Sequence, residues 1–165
     1  MRQVYIALGS NIDPAARLTQ AARALKARFP DARFSACYRN PPEGFEGADF
    51  INAVAGFRTD LSVPELLQAL HAIEEQCGRR RDDSKWGPRA MDMDLLLYGD
   101  LVGAGPGYSL PRPDLLRRVY MLGPLAELAP EVRHPLEDRS IADLWAAMPQ
   151  VAGVLTRAAP DLNAV

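Results

Sequence analysis

The chain has 165 residues and a net charge of −2, with 48% hydrophobic and 24% charged residues. That length holds one domain with a real core, and that balance excludes a chain-wide attraction to nucleic acid or anionic membrane, so any anion site must be a local basic cluster. No apolar run approaches spanning length, and the short one at residues 4–8 is too brief for a signal sequence.

In chain order, Val4-Tyr5-Ile6-Ala7-Leu8 reads as a buried strand closed by Gly9. Asp13-Pro14 supplies a cap and a first-turn proline. Leu18, Ala21, Ala22, Leu25 and Phe29 then recur at helical spacing until Pro30. A second strand is expected over residues 32–38. The run from Asn40 to Gly47, rich in Pro and Gly, reads as a loop. Residues 50–57 read as a strand with Phe50, Asn52 and Val54 on one face.

Ser62-Val63-Pro64-Glu65 is a capping box. It opens a helix that buries Leu66, Leu70, Ile73 and Cys77 and stops at Gly78. An arginine-rich loop and a strand over residues 91–98 follow, then a Gly- and Pro-rich stretch as far as Pro113. Short helices around residues 121–128 and 141–148 complete the pattern, and the tail beyond Val151 is expected to be loosely held.

Strand, helix, strand, strand, helix, strand is the split βαβ order of a ferredoxin-like α+β fold: an antiparallel sheet that buries both helical stripes on one face. No linker divides the chain, so one domain is expected over residues 1–165. Cys37 and Cys77 read as reduced, buried thiols of a cytoplasmic protein, with a disulfide as the less favoured alternative.

The chemistry concentrates in Trp86-Gly87-Pro88-Arg89-Ala90-Met91-Asp92-Met93-Asp94. Asp92 and Asp94, two apart on a strand, project from the same face. Two carboxylates that close repel unless a cation lies between them, and an oxygen-only donor set favours Mg²⁺. Standing alone, the pair reads more simply as solvated aspartates at a strand edge. Arg79, Arg80, Arg81, Lys85 and Arg89 sit just upstream, where arginine forks can hold phosphate oxygens. Carboxylates for metal plus arginines are the minimum equipment for phosphoryl transfer, and no Walker-type glycine loop is present. Phe50 and Asn52 could stack on and hydrogen-bond a flat heterocycle, although a core Phe and a turn-facing Asn is the plainer reading of that pair.

Tyr5-Ile6-Ala7-Leu8-Gly9-Ser10-Asn11, Tyr38-Arg39-x-Pro41-Pro42, Asp49-Phe50-Ile51-Asn52-Ala53, Ile73-Glu74, Gly78-Arg79 and Trp86-Gly87-Pro88-Arg89 through Asp92-x-Asp94 together resemble 6-hydroxymethyl-7,8-dihydropterin pyrophosphokinases of folate biosynthesis. The resemblance implies an ATP-dependent diphosphokinase with ATP as co-substrate and two Mg²⁺ held by Asp92 and Asp94. It puts Arg79, Arg89 and Arg81 on the triphosphate and Trp86 in a loop that closes over ATP. Glu74, Arg112 and Arg118 fall near the nucleotide. His71, outside the matched motifs, is bland by itself but lies close enough to Glu74 on the same helix to approach it. For the pterin it implies Asn52 as hydrogen-bonding partner, Phe50 and Tyr120 as stacking faces, and Asn40, Pro41 and Glu43 in the binding loop.

Three positions depart from the family pattern: Asn40 for threonine, Glu43 for an apolar residue, and Arg112 for histidine. A paralogue acting on a different pterin alcohol, and a non-catalytic nucleotide-binding module, are the alternatives. Small-molecule substrates, no nucleic-acid or membrane partner, a monomer, and closure of the loops around residues 44–47 and 82–86 on ATP complete the expectations. His134 reads as structural.

Overall fold

The computed structural model describes residues 1–42, 46–78, 90–149 and 155–165. Its frame is a sheet in which β1 (Arg2–Ser10) lies between β4 (Phe50–Thr59) and β5 (Asp92–Tyr98), with β3 (Cys37–Asn40) beyond β4. All of these pairings are antiparallel, which is the order expected of a ferredoxin-like fold. Helices α1 (Pro14–Arg28) and α2 (Val63–Gln76) cover one face. Leu18, Leu25, Leu66 and Leu70 lie there against Ile6, Leu8, Ala55 and Phe57. The helical stripes legible in the sequence are thus the ones buried. The Ser62–Glu65 capping box forms in full, with the Ser62 hydroxyl accepting from Glu65 N and the Glu65 carboxylate accepting from Ser62 N.

Helices α3 (Val119–Leu128) and α4 (Ile141–Ala147) cover the opposite face, which the six-element pattern leaves unassigned. Leu122, Leu125 and Leu144 pack there on Val54, Leu96 and Leu97. β5 reaches both cores through a register shift: Tyr5 pairs with Leu97 but Ile6 with Leu95, so Leu96 is an extra residue. Met93 and Leu95 enter the first core, and Leu96 and Leu97 the second.

Four local expectations change. The strand expected over residues 32–38 is split into β2 (Arg33–Phe34) and β3. Ser35 makes the break, because its hydroxyl accepts from Val54 N at 2.9 Å and donates to Ala36 O at 2.8 Å. Asp13 stands at the cap of α1 but makes no side-chain cap bond, since its φ of 47° turns the backbone left-handed. The Gly- and Pro-rich stretch after Gly99 contains a hairpin, β6 (Gly103–Gly105) and β7 (Tyr108–Leu110).

The tail is held more firmly than its position suggests. β8 (Thr156–Ala158) adds to the β3 edge, and Leu162 is 1% exposed. Asn163 exchanges hydrogen bonds with the backbone of Phe34, donating to its O at 2.8 Å and accepting from its N at 3.0 Å.

Candidate active site

The two aspartates open β5 on the same face, as their spacing requires, and both are half-buried. They line a cleft of about 400 Å³ at the β5 edge of the sheet. Its other walls are His71 and Glu74 of α2, Tyr108 of the hairpin, and Arg112 just after it. The backbone N–H of Arg112 donates to Leu96 O at 3.0 Å, which fixes this residue beside β5. Its Nη2 then stands 3.5 Å from Asp94 Oδ1 and 3.5 Å from Asp114 Oδ2. The side chains of Arg112 and Asp94 are 29% and 24% exposed, so the pair sits in the wall of the cleft rather than in open water. Arg112 Nε is buried without a hydrogen-bond partner, leaving a donor unused beside the carboxylates.

Glu74, expected beside the nucleotide, also bonds to the strand that carries the aspartates. It lines the cleft but is 6% exposed, and its Oε2 accepts from Met93 N at 2.8 Å. Met93 lies between the two aspartates on an edge strand, where a backbone donor otherwise lacks a partner. Glu74 therefore clamps the segment that carries both carboxylates. His71 is exposed on α2 and faces the same cleft.

A second group lies along the strand row that contains Asp92. The register pairs Asp92 with Gly9, Gly9 with Asn52, and Asn52 with Tyr38. Directly opposed residues share a face, so Asp92 and Asn52 face the same side two strands apart, about 10 Å at ordinary strand spacing. Gly9 is required between them: a Cβ there would meet Asn52 Oδ1 at 2.4 Å. Asn52 and Asn40 are 8% and 5% exposed. Asn52 Nδ2 donates to Asn40 Oδ1, and Asn40 Nδ2 donates to Pro41 O at 3.1 Å. Phe50 is paired with Asn40 and half-buried, and Pro41 is exposed beside it. Tyr120 stands half-buried in the first turn of α3, which packs on β3 and β4. Arg118 occupies the cap position of that helix.

The structure thus brings Asp92, Asp94, Glu74, His71 and Arg112 into one cleft. It puts Asn40, Asn52 and Phe50 on the neighbouring strands of the same face, with Tyr120 on the helix above. Glu43, Arg79, Arg81, Trp86 and Arg89, and the loop closure expected around residues 44–47 and 82–86, fall wholly or largely outside the described residues.

Sequence reasoning missed Tyr108 and Leu67, which also line the cleft. The signal for Tyr108 was Pro106-Gly107, a turn dipeptide whose glycine has φ +80°, between two short apolar segments. It also missed Glu127, which fastens α3 to β3: Oε2 accepts from Ala36 N at 2.8 Å and Oε1 accepts from the Tyr38 hydroxyl. Burial and that carboxylate push the Tyr38 hydroxyl up to about 12, so it stays protonated.

The family model described as 7,8-dihydro-6-hydroxymethylpterin-pyrophosphokinase (HPPK) matches residues 5–130. A Pseudomonas aeruginosa protein named 2-amino-4-hydroxy-6-hydroxymethyldihydropteridine pyrophosphokinase is 39% identical over 153 residues, covering 90% of this chain and 93% of its own. A Synechocystis protein of the same name is 40% identical, over 84% of this chain and 72% of its own. Among solved structures, an HPPK-DHPS protein in complex with substrates superimposes with a TM-score of 0.68 at 11% identity, over 88% of this chain and 43% of that one. Wild-type Plasmodium falciparum HPPK-DHPS with pteroate gives 0.67 at 12% identity, over 88% of this chain and 44% of that one. The chain spans less than half the length of these two solved proteins, and at such identity the likeness is one of fold.

Proposed function

The chain belongs to the 7,8-dihydro-6-hydroxymethylpterin-pyrophosphokinase family, and we propose that it transfers pyrophosphate from ATP to the hydroxyl of 6-hydroxymethyl-7,8-dihydropterin in folate biosynthesis. The observation that carries this reading is the juxtaposition of an aspartate pair in a cleft with an asparagine-lined strand row on the same face. One end suits a polyphosphate and the other a flat, hydrogen-bonding ring. In the reaction the substrate hydroxyl oxygen bonds to the β-phosphorus, the bond from that phosphorus to the α-phosphate oxygen breaks, AMP leaves, and the hydroxyl proton is released.

The donor set fits Mg²⁺. Asp92 and Asp94 offer only oxygen, which suits a hard ion held by one or two carboxylates plus water and phosphate oxygens. Asp92 and Asp94 would hold two such ions, which when bound neutralise triphosphate charge and favour in-line displacement.

Arg112 holds Asp94 through Nη2 and flanks the nucleotide from the wall of the cleft. Arg79, Arg81 and Arg89 bind the triphosphate, Trp86 covers ATP, and His71 and Arg118 flank the nucleotide. Asn52 hydrogen-bonds the pterin lactam, Phe50 and Tyr120 stack on its faces, and Asn40, Pro41 and Glu43 border it. The protein acts as a cytoplasmic monomer on small molecules, without nucleic-acid or membrane partners. Among the described residues no helix is long and apolar enough to cross a membrane.

The test is AMP release from ATP in the presence of hydroxymethyldihydropterin and Mg²⁺. Turnover should stop when EDTA removes the metal and return when Mg²⁺ is restored. ATP binding without AMP formation would reduce the protein to a nucleotide-binding module.

A further inference from the structure

The geometry points to Asn40 as a positioning residue that sets which end of the Asn52 amide meets the pterin, an inference resting on the reading of Asn52 as a pterin ligand. The direction of the relay is forced. Pro41 O can only accept, so Asn40 must turn its Nδ2 toward it. Asn40 then has only Oδ1 to present to Asn52, which must answer with Nδ2. The Asn52 acceptor is left on the other side, over Gly9, where the missing side chain makes room for it. Both amides are almost fully buried, so neither can exchange its partner for water without cost.

The consequence is chemical. With its flip fixed, Asn52 presents one carbonyl oxygen and one remaining N–H. That pattern is complementary to a lactam edge, which offers an N–H beside a carbonyl oxygen. Reversed, the amide would set donor against donor and acceptor against acceptor. Asn40 need not touch the ligand to decide this. Any side chain at residue 40 that both donates and accepts can sustain the relay, and a hydroxyl does so.

Asn40→Thr and Asn40→Val make the comparison, since they share a shape and differ only in the hydroxyl. Binding of 6-hydroxymethyldihydropterin and of ATP would be measured by calorimetry. Hydrogen exchange of the Asn52 side-chain amide, assigned with Asn52→Asp, would be followed by NMR in the free protein. N40T should bind pterin much as the parent does, with one Asn52 amide proton protected. N40V should bind pterin about tenfold more weakly, the loss of roughly one net hydrogen bond, with that proton exposed and ATP binding unchanged.

Equal pterin affinity in N40T and N40V, or a proton still protected in N40V, overturns the inference. If N40V does not fold, Asn40→Ser against Asn40→Ala repeats the comparison with smaller side chains. Failure of the proposed function would look different: the parent protein would release no AMP while its Asn52 proton remained protected.

Discussion

The shared face of Asp92 and Asp94 was legible from spacing alone, because a strand puts residues two apart on one face whatever the rest of the chain does; that they line a site was legible only with the arginines beside them. Replacing Asp94 by Ala should lower kcat by about a thousandfold, equivalent to several kcal/mol of transition-state stabilisation, and leave the pterin dissociation constant near its parental value. Single-turnover kinetics with pterin titration separates the two effects. Glu74 was legible only as a neighbour of the nucleotide, since nothing local in a helical Ile-Glu-Glu reveals a bond to a strand N–H 19 residues later. Glu74→Leu should leave the Met93 N–H unpaired, costing about 1–3 kcal/mol in urea unfolding together with most of the activity. Glu74→Gln keeps an acceptor there and should restore most of the stability. The roles of Asn40 and Arg112 were hidden for the same reason: each depends on partners brought together by sheet register and by the hairpin.

At the scale of elements, the buried stripes of α1 and α2 could be read because apolar residues at helical spacing and a capping box carry their own physics. The strands of the β6–β7 hairpin, beyond its Pro106-Gly107 turn, and the tail could not. Strands of three residues have too little alternation to register, and β8 is specified by the β3 edge it meets rather than by its own sequence. Leu162 anchors this tail in the first core, beside Phe34 and Cys37. Leu162→Ala should cost about 2 kcal/mol or more in denaturant unfolding. Removing Thr156–Ala158 and all that follows would bare the β3 edge next to Asn40, and light scattering should then show association of the kind unpaired edges promote.

For the whole molecule, the second core is what separates a plain βαββαβ sheet from one that can present a site, since α3 and α4 cover Tyr5, Val54 and Leu97 on the face that also carries Asp92 and Asn52. The α3–α4 connection turns on His134, 3% exposed, whose Nδ1 accepts from Leu136 N at 3.2 Å and Glu137 N at 3.1 Å. Burial lowers its pKa below the ordinary 6.5, against the smaller opposing pull of Glu137. The unfolded chain therefore binds this proton more readily than the native one. His134 contributes stability that is complete above about pH 6.5 and is lost as pH falls from there toward the folded value. Urea midpoints between pH 7.5 and 5.5 should fall for the parent more steeply than for His134→Gln, over a range set by the reference value near 6.5.

The central claim is that this two-ended site moves pyrophosphate as a unit. The measurement that tests it most directly is to supply hydroxymethyldihydropterin, Mg²⁺ and ATP labelled at the β-phosphorus, and to follow where the label goes. The expected result is AMP without label and a pterin product carrying it. Label retained in ADP, or label remaining in bound ATP with no product formed, would contradict the claim.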